Sequence, residues 1–377
     1  MLNYAEAVTY LVGRRLLDCS SVVDDDLTIV DISAKNYNFR ISGRSCTGFV
    51  LKQTRSVHEV DTIAREGAVY DFLTSGAAGQ DICRYLVKCY GYDRIHRVLV
   101  LELAEKSRPL SEHQLRTGKF SKGIAGEIGR ALAILHRGTA SRPGIGLTGL
   151  PPWVLSIHTP PLSTLREISG GNLELLRIIQ GSNTFCHLLT NLQMKWCFNS
   201  VIHGDIKSNN CIVLSRRSRS PAQPQIKLID WELAMYGDAA WDVGSMFQDY
   251  LATWIYSIPA LGGSAGERFV EVTRYPLEKM QEAIRFFWTS YAKTHALSSF
   301  ASDTLLLRAV SYCGARLIQT TYESGQNQSR LPGTAIYALQ VSLNILERPL
   351  EALVHLLGLS LSNKTERPLE YNLPTAV

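Results

Sequence analysis

Between Val201 and Val213 the chain sets a polar loop inside apolar flanks, reading Val-Ile-His-Gly-Asp-Ile-Lys-Ser-Asn-Asn-Cys-Ile-Val. A short apolar run, Cys211 to Leu214, leaves that loop, and a second run, Ile226 to Ile229, stops abruptly at Asp230-Trp231-Glu232. Two short apolar runs of this kind predict a hairpin that delivers Asp205 and Asp230 to one place. Turn formation alone accounts for Asp205 and Asn210, because both residue types favour turns and local backbone bonds. It does not account for the later acid at a strand end.

Asp205 and Asn210 lie five residues apart. In kinase catalytic loops that spacing sets an acid beside the acceptor hydroxyl and an amide oxygen on a metal ion, with a later strand-terminal Asp as the main Mg²⁺ ligand, here Asp230. At His203-Gly204-Asp205 the sequence resembles the aminoglycoside phosphotransferase and choline kinase family, whose loop opens His-Gly-Asp where protein kinases have His-Arg-Asp. The resemblance implies an α+β, two-lobed, protein-kinase-like fold, with a five-stranded antiparallel sheet and a helix in the small lobe and a large, mostly helical lobe. It also implies transfer of the γ-phosphate of ATP to an alcohol, with ATP and Mg²⁺ as cofactors.

The other expected parts fall in order along the chain. Met1 to Asp18 carries apolar residues near helical spacing, and from Leu27 the pattern becomes a meander of three strands ending in Phe49-Val50-Leu51-Lys52. The turn Ser33-Ala34-Lys35-Asn36 occupies the place where the family covers the ATP phosphates, so Ser33 and Asn36 are candidate phosphate contacts by position, with no glycine to make a motif. Lys52 ends an apolar strand and needs a partner there. Glu66, on a helix expected over Glu59 to Leu73, is that partner, with Glu59 the competing acid. Two more strands, Leu86 to Tyr90 and Val98 to Leu103, complete the sheet, and main-chain groups at Glu102 and Ala104 stand at the family's adenine-binding hinge. Lys207 is a candidate γ-phosphate cation where aminoglycoside kinases have His. Asp242 resembles the aspartate that braces the catalytic loop, and Glu232 is a possible second metal ligand.

Residues 1–104 form the expected nucleotide lobe, 105–360 the catalytic and acceptor lobe, and 361–377 a disordered tail. Ser121 to His136 reads as a long amphipathic helix, residues 139–200 as an acceptor insertion, and Ser215 to Gln225 as a surface loop. Helices are expected over Leu277 to His295, Leu305 to Tyr322 and Ala335 to Leu357. The eight cysteines show no C-x-x-C pair and read as reduced, mostly buried thiols. With no apolar run of about 18 residues and no signal-peptide order, no membrane contact is expected and a cytoplasmic location is.

The net charge of +5 arises in one segment. Residues 105–200 hold 11 Lys/Arg against 5 Asp/Glu, a surplus of 11 − 5 = +6, while the flanking segments are nearly balanced. An anionic partner would meet that segment. Nucleic acid is excluded by the lack of a dense basic cluster on a predicted helix. Pro151-Pro152-Trp153-Val154-Leu155, the stretch Ala34 to Phe39 before Val50-Leu51-Lys52-Gln53, and Gly237 to Gly244 before Phe247-Gln248-Asp249-Tyr250 are similar to the kinase subunits of class V lanthionine synthetases. That branch implies a Ser/Thr acceptor in a ribosomally made precursor peptide and a partner elimination protein. The competing acceptor is a small molecule such as a sugar, an amino alcohol or an antibiotic. A pseudokinase binding module is the reading from another class, and the complete set of polar anchors argues against it.

Overall fold

The computed structural model describes residues 4–24, 26–33, 36–44, 48–55, 62–76, 80–140, 142, 147–166, 168–215, 225–258 and 274–362. Helices α1 (Tyr4–Gly13) and α2 (Cys19–Asp24) precede strands β1 (Thr28–Asp31), β2 (Tyr37–Ser42) and β3 (Phe49–Gln53). Helix α3 (Thr62–Thr74) follows, then β4 (Cys89–Asp93) and β5 (Val98–Glu102). These strands form one antiparallel sheet in the order β1-β2-β3-β5-β4. Period-two alternation gives the sheet two buried faces. Phe49, Leu51, Val98 and Val100 join Ala7 and Leu11 of α1 in one cluster. Leu99 and Leu101 point the other way, to Ile63, Val69 and Tyr70 of α3, and this second core runs without interruption into the helical part.

That part begins with β6 (Ser107–Pro109), α4 (Leu110–Thr117) and α5 (Lys122–Thr139), then α6 (Leu162–Arg166), α7 (Gly170–Gln180), α8 (Asn183–Met194) and β7 (Ser200–Ile202). The hairpin β8 (Cys211–Leu214) and β9 (Ile226–Leu228) pairs with β6, and β10 (Met235–Gly237) pairs with β7. Four long helices follow, α9 (Ala239–Ile255), α10 (Leu277–His295), α11 (Ser299–Gly325) and α12 (Gly333–Glu347), and among the described residues short helical turns over Pro349–Glu351 and Ala352–Leu356 come after them. Helix α5 buries the expected stripe of Ile124, Ile128, Ala131, Leu132 and Leu135. Gly129 lets α10 approach, since a Cβ there would stand 2.2 Å from the Phe287 carbonyl oxygen.

Several boundaries differ from the sequence reading. Leu86 to Lys88 is not strand: a 3₁₀ turn over Gln80–Tyr85 leads to a lone parallel bridge between Leu86 and Leu228, and β4 starts at Cys89. The Lys227 ammonium donates to the Arg84 and Leu86 carbonyls at 3.0 and 2.7 Å, which ties Leu86 to β9, while the Lys88 carbonyl accepts from the Glu102 N–H of β5 at 2.8 Å. The helix expected over Ala335 to Leu357 breaks at Arg348, because Pro349 has no N–H to continue it. Helices α2 and α4 and strand β6 were not expected. Of the cysteines, Cys211 and Cys313 are fully buried, Cys19 is exposed, and no disulfide occurs among the described residues. The expectations for Ala34, Lys35, Glu59, residues 216–224 and residues 363–377 fall outside the described residues. No helix among the described residues is long and apolar enough to cross a membrane.

The last turn of α10 holds His295, half-buried beside Tyr291 at a ring separation of 5.7 Å. Burial, followed by the nearby His136 and Arg137 charges, pushes its pKa down to about 4. The unfolded chain takes up that proton near pH 6.5. The folded form therefore binds fewer protons in between, so this contribution to stability is complete above pH 6.5 and is lost as the pH falls through 4. The melting temperature of His295→Gln is expected to drop less than that of the wild type between pH 7 and pH 4.5, and parallel curves would rule this out.

Candidate active site

Alternation along β3 puts Lys52 on the same face as Val50, toward α3, and the helical period of α3 puts Glu66 on its buried side with Ile63, Val69 and Tyr70. The expected ion pair forms. Lys52 Nζ donates to Glu66 Oε1 and Oε2 at 3.0 and 2.8 Å and to Asp230 Oδ1 at 2.7 Å. Burial works to drain the charge from Lys52, but the Glu66 and Asp230 carboxylates outweigh it and hold the ammonium above its ordinary pKa. Glu66 Oε1 also accepts from the Trp231 N–H at 3.3 Å, so α3 is fastened directly to the residue after Asp230.

The loop after β7 is held from below. Asp242, in the first turn of α9, accepts from the His203 and Gly204 N–H groups at 2.7 and 3.0 Å and bonds His136 Nε2 at 3.1 Å, the bracing role expected for it. Gly204 has φ +82°, and a Cβ there would stand 2.4 Å from the Leu233 carbonyl oxygen, which explains why glycine stands between His203 and Asp205. His203 donates through Nε2 to the Ile229 carbonyl at 3.0 Å. It therefore joins the loop to the end of β9.

Asp205 and Asn210 come together as the spacing predicted. The Asn210 side-chain N–H₂ donates to the Asp205 carbonyl at 2.9 Å, and the Asn210 carbonyl accepts from the Ile229 N–H at 3.0 Å. Asp230, next in sequence, has φ +69°, a left-handed conformation that is costly without glycine and that aims its carboxylate back at Lys52. Among the described residues the Asn210 amide oxygen is left as an acceptor, as is Asp230 Oδ2. Among the described residues no group of three or more His, Cys, Asp or Glu stands ready to hold a metal by itself. Two hard oxygen donors suit a cation that completes its shell with phosphate and water, as Mg²⁺ does.

Lys207 Nζ lies 2.7 Å from Asp205 Oδ2. A second cation, which the sequence reading missed, holds the other oxygen: Arg316 of α11 donates through Nη2 to Asp205 Oδ1 at 3.0 Å. Burial works to raise the Asp205 pKa, but Arg316 and then Lys207 outweigh it and keep the carboxyl below its ordinary range. A signal was present, since Cys313-Gly314-Ala315-Arg316-Leu317-Ile318 puts an arginine in a run of small and apolar residues, where an unpaired charge is rarely buried. Asp249, also missed, accepts from the Ser208 N–H at 3.0 Å and from its hydroxyl.

The remaining candidates meet protein groups. The Ser33 hydroxyl accepts from the Asn38 N–H at 2.9 Å and so staples the β1–β2 turn. Asn36 donates to Glu232 Oε2 and Thr62 Oγ1, both at 3.3 Å, and Thr62 donates to the same Glu232 oxygen at 3.0 Å. Glu232 thus links the sheet to the hairpin. At the hinge, the Glu102 side chain accepts from the Lys88 N–H at 3.2 Å, the group an antiparallel ladder would pair with the Glu102 carbonyl. The Ala104 carbonyl accepts from the Ser107 hydroxyl.

Residues 26–271 match the model of the phosphotransferase enzyme family abbreviated APH. The chain belongs to that family. It is accordingly a kinase that takes an alcohol as acceptor. No curated protein matches this phosphotransferase in sequence. Among solved structures it is similar to amicoumacin kinase hAmiN, at 13% identity and TM-score 0.54 over 90% of this chain and 96% of that one. A glucosamine kinase is similar at 13% identity and TM-score 0.53, covering 90% of this chain and 85% of that one. The choline kinase LicA from Streptococcus pneumoniae gives 14% identity and TM-score 0.49 over 90% and 99% of the two chains. At such identities the amicoumacin and glucosamine kinase likenesses show the fold alone: a small antiparallel sheet with its helix beside a large helical lobe.

Proposed function

We propose that this phosphotransferase moves the γ-phosphate of ATP to Ser or Thr of a ribosomally made precursor peptide. The observation that carries the phosphoryl-transfer reading is the convergence of Lys52, Glu66, Asp230, Asn210 and Asp205 on one cleft end through the bonds given above. Phosphoryl transfer needs positioning and charge stabilisation more than covalent chemistry. In this reading Lys52, oriented by Glu66, holds the α- and β-phosphates, Asn210 and Asp230 hold Mg²⁺, and Lys207 meets the γ-phosphate. Bound Mg²⁺ supplies charge neutralisation on the phosphates. Asp205 accepts the acceptor's hydroxyl proton. The Glu102 carbonyl and the Ala104 N–H take the adenine edge, while Ser33 and Asn36 shape the turn above the phosphates. Residues 1–104 are the nucleotide lobe and 105–360 the catalytic and acceptor lobe, and a reaction that consumes ATP fits a cytoplasmic location.

Charge supports a peptide acceptor. Arg130 and Arg137, from the segment with the +6 surplus, line with Arg285 and Lys293 of α10 a groove of about 760 Å³. A surface of that sign attracts an acidic leader segment and repels a polycationic antibiotic. A second reading has its own observation: burial works to lower the Lys207 pKa, and Asp205 first, then the nearby Glu323 carboxylate, outweigh it and raise it. An acid at the acceptor edge favours a small alcohol that carries an amine. Incubated with ATP, Mg²⁺ and, where required, its partner elimination protein, a precursor peptide is expected to gain roughly 80 Da per phosphate on intact-mass analysis. Consumption of ATP with small amino alcohols while every peptide stays inert would replace the first reading by the second.

A further inference from the structure

Two cations hold the Asp205 carboxylate, and they are held in different ways. Arg316 is 1% exposed, in the middle of α11. Its guanidinium lies over the Trp241 indole at 5.7 Å, and the Trp241 Nε1–H donates to the Gly204 carbonyl at 3.0 Å. Arginine, indole and catalytic loop therefore pack as one unit. Arg316 Nε and Nη1 are buried and reach no acceptor, so Asp205 Oδ1 is the one hydrogen-bond partner this arginine has among the described residues. A buried guanidinium with such poor satisfaction is costly to keep for packing alone. Lys207 differs, since its side chain is 32% exposed on a flexible stem. It covers Oδ2, the oxygen that has to be bare for an acceptor hydroxyl to approach.

We infer that Arg316 is a positioning residue that acts through Asp205 as its fixed countercharge, and that Lys207 is an exchangeable one, leaving Oδ2 for the γ-phosphate when nucleotide binds. The inference rests on the reading of Asp205 as the group that receives the acceptor's proton. A phosphate oxygen competes well with a carboxylate for an ammonium donor, because it carries more charge. Once Lys207 has moved, Arg316 still compensates Asp205 and fixes its rotamer, so Oδ2 faces the acceptor. The hydroxyl proton then passes to Oδ2 as the acceptor oxygen bonds to the γ-phosphorus. The bond from that phosphorus to the β–γ bridging oxygen breaks, and its electron pair leaves with ADP. Nucleotide binding thus uncovers the acceptor site, which orders the reaction.

The test uses the full chain with ATP hydrolysis to water as the rate and calorimetric binding of Mg²⁺·ADP and Mg²⁺·AMP-PNP as the affinities. Arg316→Met is expected to slow hydrolysis about a hundredfold. Both affinities should stay within about twofold, and Arg316→Lys should recover roughly a tenth of the wild-type rate. Added to Asp205→Asn, Arg316→Met should cost nothing further, as residues acting as one unit do. Lys207→Met is expected to weaken AMP-PNP about tenfold while sparing ADP, which has no γ-phosphate. Wild-type hydrolysis by Arg316→Met, a parallel loss of rate and of both affinities, or equal weakening of ADP and AMP-PNP by Lys207→Met would each overturn the inference. If Arg316→Met does not fold, the Lys207→Met comparison and the Arg316→Lys rate still decide it. Wild-type hydrolysis by Asp205→Asn would remove the underlying reading of Asp205 and this inference with it, whereas an inactive Asp205→Asn beside a fully active Arg316→Met removes this inference alone.

Discussion

Phosphoryl transfer by Asp205→Asn is expected to fall by about 10²- to 10⁴-fold, the contribution of a positioned general base. The substitution keeps the shape of the side chain and its place under Asn210, whose amide donates chiefly to the Asp205 carbonyl at 2.9 Å and only at 3.5 Å to Oδ2. What it removes is the anionic oxygen, together with the countercharge for Arg316 and Lys207. Binding of Mg²⁺·ADP should change little, because the nucleotide side of the cleft belongs to Lys52, Glu66 and Asp230. Coupled ADP release and calorimetry measure the two quantities separately. Turnover at the wild-type rate would mean that another group takes the proton.

The second large effect concerns metal. Nucleotide is expected to bind roughly a hundredfold more tightly with Mg²⁺ than with EDTA, a difference of the size that metal ligands and their supports command. Asp230→Ala should abolish that difference. In the structure Asp230 Oδ1 is bonded to Lys52 at 2.7 Å and the side chain is 34% exposed toward the cleft, so one carboxylate serves both the phosphate-binding lysine and the cation. The loss should fall on Mg²⁺-dependent affinity, since Lys52 keeps its bonds to Glu66 at 2.8 and 3.0 Å. Equal affinity with Mg²⁺ and with EDTA in the wild type would take Asn210 and Asp230 out of the metal role.

The sequence by itself determined the parts of this protein whose signal is local. The continuous apolar run Val98 to Leu101 marks a strand buried on both faces, the stripe of Ile124 to Leu135 marks α5, and five residues from Asp205 to Asn210 mark one turn of loop. Lys52 and Glu66 were legible as a pair because a strand-end lysine needs a partner and the kinase strand-to-helix spacing offers Glu66 on the next helix, with periodicity alone leaving Glu59 as its competitor. Some local signals were present but went unused, such as Pro349 in the expected last helix and Gly118, which ends α4 in a left-handed conformation at φ 64°.

Only the tertiary structure decided the contacts that join distant segments. Arg316 meets Asp205 across 111 residues, Glu232 meets Asn36 across 196, and Lys227 draws the Leu86 carbonyl to β9 across 141. No spacing rule connects such residues, because their approach depends on how α11, the β8–β9 hairpin and the five-stranded sheet pack around one continuous core. Periodicity says that the Arg316 position is buried. Which carboxylate it would be buried against is set by the docking of α11 on α9 and the loop that Asp242 holds, a property of the assembled helices that no single segment encodes.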